Sequence, residues 1–264
     1  MIIIYIYYLG DAKCGSTTEV MKMNNMMALN PTDYVGVSFW VISAAMLAAT
    51  YFFYVERDRA IGKWKTSLTV AAMVTGIAAL HYFYMREVWV STGESPTVFR
   101  YVDWLLTVPL QIIEFYLILA AIAVIGASLF WRLLIASVTM LIAGYLGEVN
   151  ASDSSILWGG FVIGTVAWLY IIYEIFLGEA SKINASEGTV ASQKAFNALR
   201  IIVTFGWSIY PLGYLWGYSV DGSPATLNLV YNLADFVNKI AFGVVIWSAA
   251  TASSEPPNES NAVG

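Results

Sequence analysis

Long apolar stretches, separated by short polar breaks, dominate the pattern of this chain. A helix needs about 20 mainly apolar residues to cross a bilayer, and seven stretches reach that length or come close to it. Charged residues or Gly, Pro, Asn and Ser bound each stretch. The predicted spans are residues 33–55, 65–85, 98–119, 129–146, 156–177, 196–218 and 226–251.

The apolar stretches are continuous, whereas the strands of a transmembrane β-barrel alternate in polarity over about ten residues. The predicted fold class is therefore an all-α membrane protein, a bundle of seven transmembrane helices. We expect residues 31–251 to form the membrane domain, 1–30 to be an amino-terminal extension or possible signal segment, and 252–264 to be a flexible cytoplasmic tail.

Composition supports a membrane protein, because 59% of the 264 residues are hydrophobic and only 12% are charged. A soluble protein typically has about twice that share of charged residues. With 13 Lys and Arg against 18 Asp and Glu, no basic patch is expected, so nucleic acid is excluded as a partner. The single cysteine, Cys14, excludes a disulfide framework and a multi-cysteine metal site, and no metal is expected.

Basic residues concentrate in the loops that follow the odd-numbered spans. Positive loops prefer the cytoplasm, so the amino terminus is predicted outside and the carboxyl terminus inside. The basic residues that carry this prediction are Arg57, Arg59, Lys63, Lys65, Arg132, Lys182, Lys194 and Arg200.

Lys239 lies mid-way along the seventh predicted span, too deep for its amine to reach the membrane surface. A lysine at that depth must be paired, neutral or covalently modified. Lysine amines form Schiff bases with aldehydes, and Asp235, four residues earlier on the same helix face, could neutralise the resulting cation. The alternative is a structural ion pair between Lys239 and Asp235.

The third span contains a ladder of polar residues on one face. At about 100° per residue, Asp103 and Glu114 point within about 20° of each other, about 16 Å apart along the axis. Thr107 and Arg100 each lie about one turn from Asp103. Two carboxyls on opposite sides of a buried lysine suit a proton relay, in which one accepts a proton and the other returns one. Alternatively, Glu114 is a neutral acid at a helix contact.

His81, the only histidine, lies in the second span, where it either packs or provides a carboxylate with a titrating partner. Trp104, Trp207 and Tyr210 could enclose a flat apolar ligand, with Pro211 breaking the sixth helix. The alternative for each aromatic residue is ordinary packing or a lipid-facing position.

Three segments resemble the third, sixth and seventh helices of proteorhodopsins, a branch of the microbial (type 1) rhodopsins. They are Arg-Tyr-Val-Asp-Trp-Leu-Leu-Thr-Val-Pro-Leu at 100–110, Gly-Trp-Ser-Ile-Tyr-Pro-Leu-Gly-Tyr at 206–214 and Tyr-Asn-Leu-Ala-Asp-Phe-Val-Asn-Lys at 231–239. The resemblance extends over residues 33–250. It implies a bundle of the microbial rhodopsin type with all-trans retinal bound to Lys239 as a protonated Schiff base.

The resemblance also implies roles for the polar residues. Asp103 is expected to be the primary counterion and proton acceptor, Asp235 the second counterion and Glu114 the cytoplasmic proton donor. Arg100 matches the arginine beside the counterions, and His81 the histidine that hydrogen-bonds the acceptor. The retinal cage is expected to contain Trp104, Trp207 and Tyr210, with Met140, Gly144 and Phe161 from the fourth and fifth helices.

Within this family, the triplet Asp103, Thr107 and Glu114 resembles that of light-driven outward proton pumps, which are not enzymes. Gln111 resembles the blue-absorbing branch, where the green branch has leucine. The alternatives are a slow retinal photosensor that signals through a partner, or a seven-helix transporter or receptor without retinal.

The family resemblance further implies a bacterial inner-membrane protein, in contact with the lipid bilayer, that forms a homo-oligomer. Pentamers or hexamers are expected, with Trp40 and His81 near the interface between protomers.

Overall fold

The computed structural model describes residues 29–220 and 222–254. Seven helices in this part of the chain are long and apolar enough to cross a membrane, which confirms the predicted all-α bundle. The first five spans are the helices Tyr34–Glu56, Trp64–Thr92, Thr97–Ile122, Ala127–Val149 and Ser154–Phe176. The sixth is the interrupted helix Val190–Ser219, and the seventh is Pro224–Ala252.

Local signals in the sequence explain where several helices begin and end. The carboxylate of Asp33 accepts a hydrogen bond from the Gly36 amide at 2.9 Å, and Asp153 caps the fifth span in the same way. Pro224 occupies the first turn of the seventh span, where its missing N–H has no partner to lose. Gly93 ends the second span with φ at 73°, a left-handed conformation that glycine adopts readily.

Four of the predicted spans were too short by three residues or more at one end. The third span ends at Ile122 rather than 119, and the sixth begins at Val190 rather than 196. The second span continues to Thr92 rather than ending at residue 85, because Arg86 is buried at its end instead of breaking the helix. The fourth span continues to Val149 rather than 146, so Glu148 lies within this helix. Apolar length underestimates such helices, because polar side chains near a span end can be buried against the protein.

A short helix, Glu179–Glu187, between the fifth and sixth spans was not predicted. Arg132 of the fourth span anchors it, since its guanidinium donates to Glu179 at 2.5 Å and to Glu174 at 3.4 Å. The Ala180 amide also donates to Glu174. These contacts tie the fourth and fifth spans to this loop.

The seven spans form a closed bundle. Each of the first five packs against the next, and the seventh packs against the first, the second and the sixth. Phe115, Phe196 and Phe242 meet edge to face where the third, sixth and seventh spans converge. Lys239, on the seventh span, is buried inside this bundle. The predicted segments 1–30 and 252–264 lie almost entirely outside the described residues.

Candidate functional site

Lys239 lies between two carboxylates in the middle of the bundle. Its Nζ is 2.7 Å from Asp103 Oδ2 on the third span and 2.8 Å from Asp235 Oδ2 on its own helix. All three side chains are buried. A buried cation is tolerated only when it is paired and hydrogen-bonded, and this arrangement satisfies both conditions.

The two carboxylates have unequal surroundings. Asp235 accepts hydrogen bonds from the hydroxyl of Tyr82 at 2.8 Å, from that of Tyr210 at 2.5 Å and from the indole N–H of Trp104 at 3.2 Å. Asp103 Oδ1 has no hydrogen-bond partner among the described residues. Hydrogen bonds to the charged form of an acid stabilise that form, so Asp235 is held as a carboxylate while Asp103 keeps a free lone pair.

His81 approaches that free oxygen without a hydrogen bond to it. Its Nδ1 lies 3.5 Å from Asp103 Oδ1 and 2.9 Å from the carbonyl oxygen of Ile77 on its own helix. The bond to the acceptor that the family resemblance implies is therefore absent from this structure, although the ring is adjacent to the carboxylate. The nearer Ile77 carbonyl accounts for the difference, since it takes the proton of the same ring nitrogen.

Arg100 contributes the second buried cation of the site. One terminal nitrogen donates to the side-chain oxygens of Asn228 at 2.8 Å and Asn232 at 2.9 Å, and the other to the Tyr82 hydroxyl at 3.4 Å. Tyr82 thereby connects Arg100 to Asp235. Two cations and two carboxylates balance one another, which makes this buried cluster sustainable in a low-dielectric interior.

Glu114 is isolated from this cluster. It is buried, and neither carboxyl oxygen has a hydrogen-bond partner of good geometry among the described residues, although Ser67 of the second span faces it. Thr107, between Asp103 and Glu114 on the same helix, donates its hydroxyl to the Asp103 backbone carbonyl at 2.9 Å. A lone, desolvated carboxyl is suited to hold a proton and release it when its surroundings change.

A cavity adjoins the Lys239 amine. Its wall is mostly apolar and aromatic, as is usual for ligand pockets. The ring of Trp104 lies 5.0 Å from that of Tyr210 and 5.8 Å from that of Tyr231. The cavity is lined by every residue predicted for the retinal cage and by Gln111, the residue predicted to set the colour. The cage residues are Trp104, Met140, Gly144, Phe161, Trp207 and Tyr210.

These walls fit retinal. A long conjugated hydrocarbon needs an apolar, aromatic pocket with a lysine at one end, and the cavity provides both. Gly144 leaves room for the Tyr101 side chain in this wall, because a Cβ at that position would lie 2.8 Å from the Tyr101 hydroxyl.

Sequence reasoning missed several residues of this site. Glu148 lines the cavity and accepts hydrogen bonds from Tyr101 at 2.8 Å and Tyr218 at 3.3 Å. It also lines a second cavity together with Arg100. Placing the end of the fourth span at 146 left Glu148 out, whereas its position one turn after Gly144 could have revealed it. The other missed residues are Tyr82, Trp168, Asn228, Tyr231, Asn232 and Asn238.

Comparison with known proteins assigns the chain to a family. The family model for bacteriorhodopsin-like proteins matches residues 33–253, nearly the whole described region. The chain belongs to the bacteriorhodopsin-like family. The chain is therefore a multi-pass membrane protein embedded in a lipid bilayer, and the predicted resemblance to proteorhodopsins is confirmed by the relatives described next.

Individual relatives are more similar still. A green-light absorbing proteorhodopsin of Gamma-proteobacterium EBAC31A08 is 56% identical over 86% of this chain and 90% of that protein. A blue-light absorbing proteorhodopsin of Gamma-proteobacterium Hot 75m4 is 54% identical over the same shares. The crystal structure of a blue light-absorbing proteorhodopsin from Med12 is similar with a TM-score of 0.71 and 57% identity, over 83% of this chain and 99% of that one.

Proposed function

We propose that this protein is a light-driven outward proton pump with all-trans retinal bound covalently to Lys239. The observation that carries the proposal is the position of Lys239 between two unequally hydrogen-bonded carboxylates, at one end of an aromatic cavity. The membership of the family and the similarity to green- and blue-absorbing proteorhodopsins support it.

Retinal, when bound as a protonated Schiff base, supplies light absorption and a change of shape at the lysine nitrogen. The protein supplies the groups that exchange the proton. Asp103 accepts it from the Lys239 nitrogen, because its Oδ2 is 2.7 Å away and its Oδ1 is free of hydrogen bonds. Asp235 remains a carboxylate, because protonation would weaken hydrogen bonds from two tyrosines and a tryptophan.

Return of a proton to the lysine nitrogen is assigned to Glu114. Its carboxyl lies further along the third span and is buried without a charged partner, so its proton is released only when the neighbouring structure changes. With the amino terminus outside, Glu114 lies on the cytoplasmic side and Asp103 on the exterior side. Arg100 holds its charge beside the counterions throughout, and His81 and Thr107 shape the surroundings of Asp103.

Blue absorption is assigned to Gln111. Its buried side chain lines the cavity, and its amide nitrogen has no hydrogen-bond partner among the described residues, so its dipole can orient toward the chromophore. The overall similarity favours neither colour, because the green- and blue-absorbing relatives are 56% and 54% identical.

We also propose a bacterial inner-membrane location and a ring of five or six protomers. Trp40 is 42% exposed on the first span, and His81 is partly exposed on the second, so both can reach a neighbouring protomer. Replacing Trp40 with alanine should shift the detergent-solubilised protein toward smaller assemblies in native mass spectrometry. Leu47→Ala, at another exposed position of the same helix, is the control. An unchanged mass distribution in both variants would remove Trp40 from the interface.

The experiment that tests pumping illuminates cells expressing the protein with added retinal and records the external pH. Acidification that a protonophore abolishes supports the pump, and Lys239→Ala should abolish both the visible band and the pH change. Hydroxylamine should bleach the parent under light, since it cleaves a retinal Schiff base and thereby removes the visible band. A band without pH change favours the photosensor alternative, and no band at all favours a protein without retinal.

A further inference from the structure

The sixth span is irregular next to the aromatic cavity. A π-helical segment, Ile202–Gly206, separates the helices Val190–Ile201 and Ile209–Ser219. Pro211 has no N–H, so it cannot donate to the carbonyl of Trp207 four residues earlier. That carbonyl accepts instead from the Tyr210 amide at 3.1 Å, and the Trp207 amide donates back to Ile202 at 3.1 Å.

These displaced bonds leave two carbonyls without their regular helical donors. In an α-helix, Val203 would accept from the Trp207 amide and Gly206 from the Tyr210 amide. Both amides donate elsewhere here. Membrane interiors provide no water to replace such bonds, so freed carbonyls there need another partner.

A side chain from a neighbouring span supplies each partner. The indole N–H of Trp168, on the fifth span, donates to Val203 O at 3.0 Å. The amide of Asn238, on the seventh span, donates to Gly206 O at 3.0 Å. Gly206 is required for this approach, because a Cβ there would collide with the Asn238 side-chain oxygen.

Both donors lie beside the part of the sixth span that forms the cavity wall. Trp168 and Asn238 line the cavity, as do Trp207 and Tyr210, whose amides make the displaced bonds. The Asn238 amide is also 3.3 Å from the Tyr210 hydroxyl, which donates to Asp235. The two side chains thus connect the backbone of the sixth span to the counterion cluster.

We propose that Trp168 and Asn238 are positioning residues: by satisfying the carbonyls of Val203 and Gly206, they hold the irregular sixth span in register and keep Trp207 and Tyr210 in the cavity wall. Holding the register does not depend on the proposed function. Control of the light reaction by the same bonds does rest on it, so the two effects are measured separately.

The first measurement uses retinal-free protein in lipid nanodiscs and follows hydrogen–deuterium exchange of peptides covering residues 202–212. Asn238→Leu keeps the size but removes the donor, and Trp168→Phe removes the indole N–H. Each variant should accelerate exchange about tenfold, as expected for the loss of one buried hydrogen bond. Trp158→Phe is the matched control, since Trp158 is on the same span as Trp168 and makes ring contacts but no indole hydrogen bond within the described part of the chain.

Unchanged exchange in both variants would overturn the proposal whether or not the protein pumps. If Asn238→Leu does not fold, Trp168→Phe, which leaves Asn238 in place, decides alone. If the variants exchange faster but the parent forms no pigment with added retinal, the register proposal is supported and the proposed function is rejected.

The second measurement uses retinal-bound protein and flash spectroscopy. Each variant should form a visible pigment whose return to the dark state changes at least fivefold. Because both bonds hold one element, the double variant should change the rate by less than the product of the two single effects. Multiplicative effects, or rates equal to those of Trp158→Phe, would show that each side chain acts only through local packing.

Discussion

Replacing Asp103 with asparagine should separate the roles of the two carboxylates. The substitution keeps the shape of the side chain and removes one negative charge 2.7 Å from the lysine nitrogen. At an effective dielectric constant of about 20, that pair interacts by about 6 kcal/mol. Asp235, with its three other donors, then remains as the carboxylate that pairs with Lys239.

The expected consequences are a red shift and the loss of pumping. In the dark state the positive charge of the pigment is concentrated at the nitrogen, and excitation moves it away from Asp103. Loss of the counterion therefore destabilises the ground state more than the excited state. The difference between the two destabilisations is a fraction of that 6 kcal/mol, about a few kcal/mol. Acidifying the parent should reproduce the red shift, because protonation of Asp103 removes the same charge.

Two assays check this reasoning. Visible spectra of the purified variant and parent at the same alkaline pH give the shift, and light-induced pH changes in cells give transport. Asp58→Asn, an identical substitution at an exposed loop position, should change neither. Sustained outward pumping by Asp103→Asn at neutral pH would refute the acceptor role, and an unshifted band would refute the electrostatic argument.

Two further substitutions test the remaining assignments. Glu114→Gln should leave the colour nearly unchanged but slow reprotonation of the lysine nitrogen at least tenfold in flash spectroscopy. Azide, a mobile proton carrier, should partly restore the rate. An unchanged decay of the deprotonated intermediate would exclude Glu114 as the donor. Gln111→Leu should move the absorption toward green without loss of transport. The substitution removes an amide dipole but does not remove a titratable group. Superimposable spectra of variant and parent at alkaline pH, where Asp103 is ionised in both proteins, would reject the tuning role.

The sequence alone was sufficient to predict the bundle and the main charged residues of the site. Backbone polar groups must be satisfied within the protein in lipid, which leaves helices or closed barrels, and continuous apolar stretches of bilayer length exclude barrel strands because those alternate in polarity. Helical periodicity then places Asp235 one turn from Lys239, and Asp103 and Glu114 on one face of the third span. Such relations within one helix follow from spacing, and the family motifs supplied the chemistry.

Relations between helices could not be obtained this way. The difference between Asp103 and Asp235 depends on Tyr82 and Tyr210, which reach Asp235 from other spans. No spacing rule predicts which carboxylate such donors will contact. The ring of His81 likewise bonds to its own helix rather than to Asp103, a choice made by distances of a few tenths of an ångström.

The sixth span shows the same division within one element. Pro211 predicts from sequence that the helix is broken, since it removes one backbone donor. The sequence does not show which carbonyls lose their helical donors. The packing of the fifth and seventh spans determines this, and it brings the side chains of Trp168 and Asn238 to those carbonyls as new donors. A buried backbone group must be satisfied by whatever lies beside it, and only the tertiary structure determines what that neighbour is.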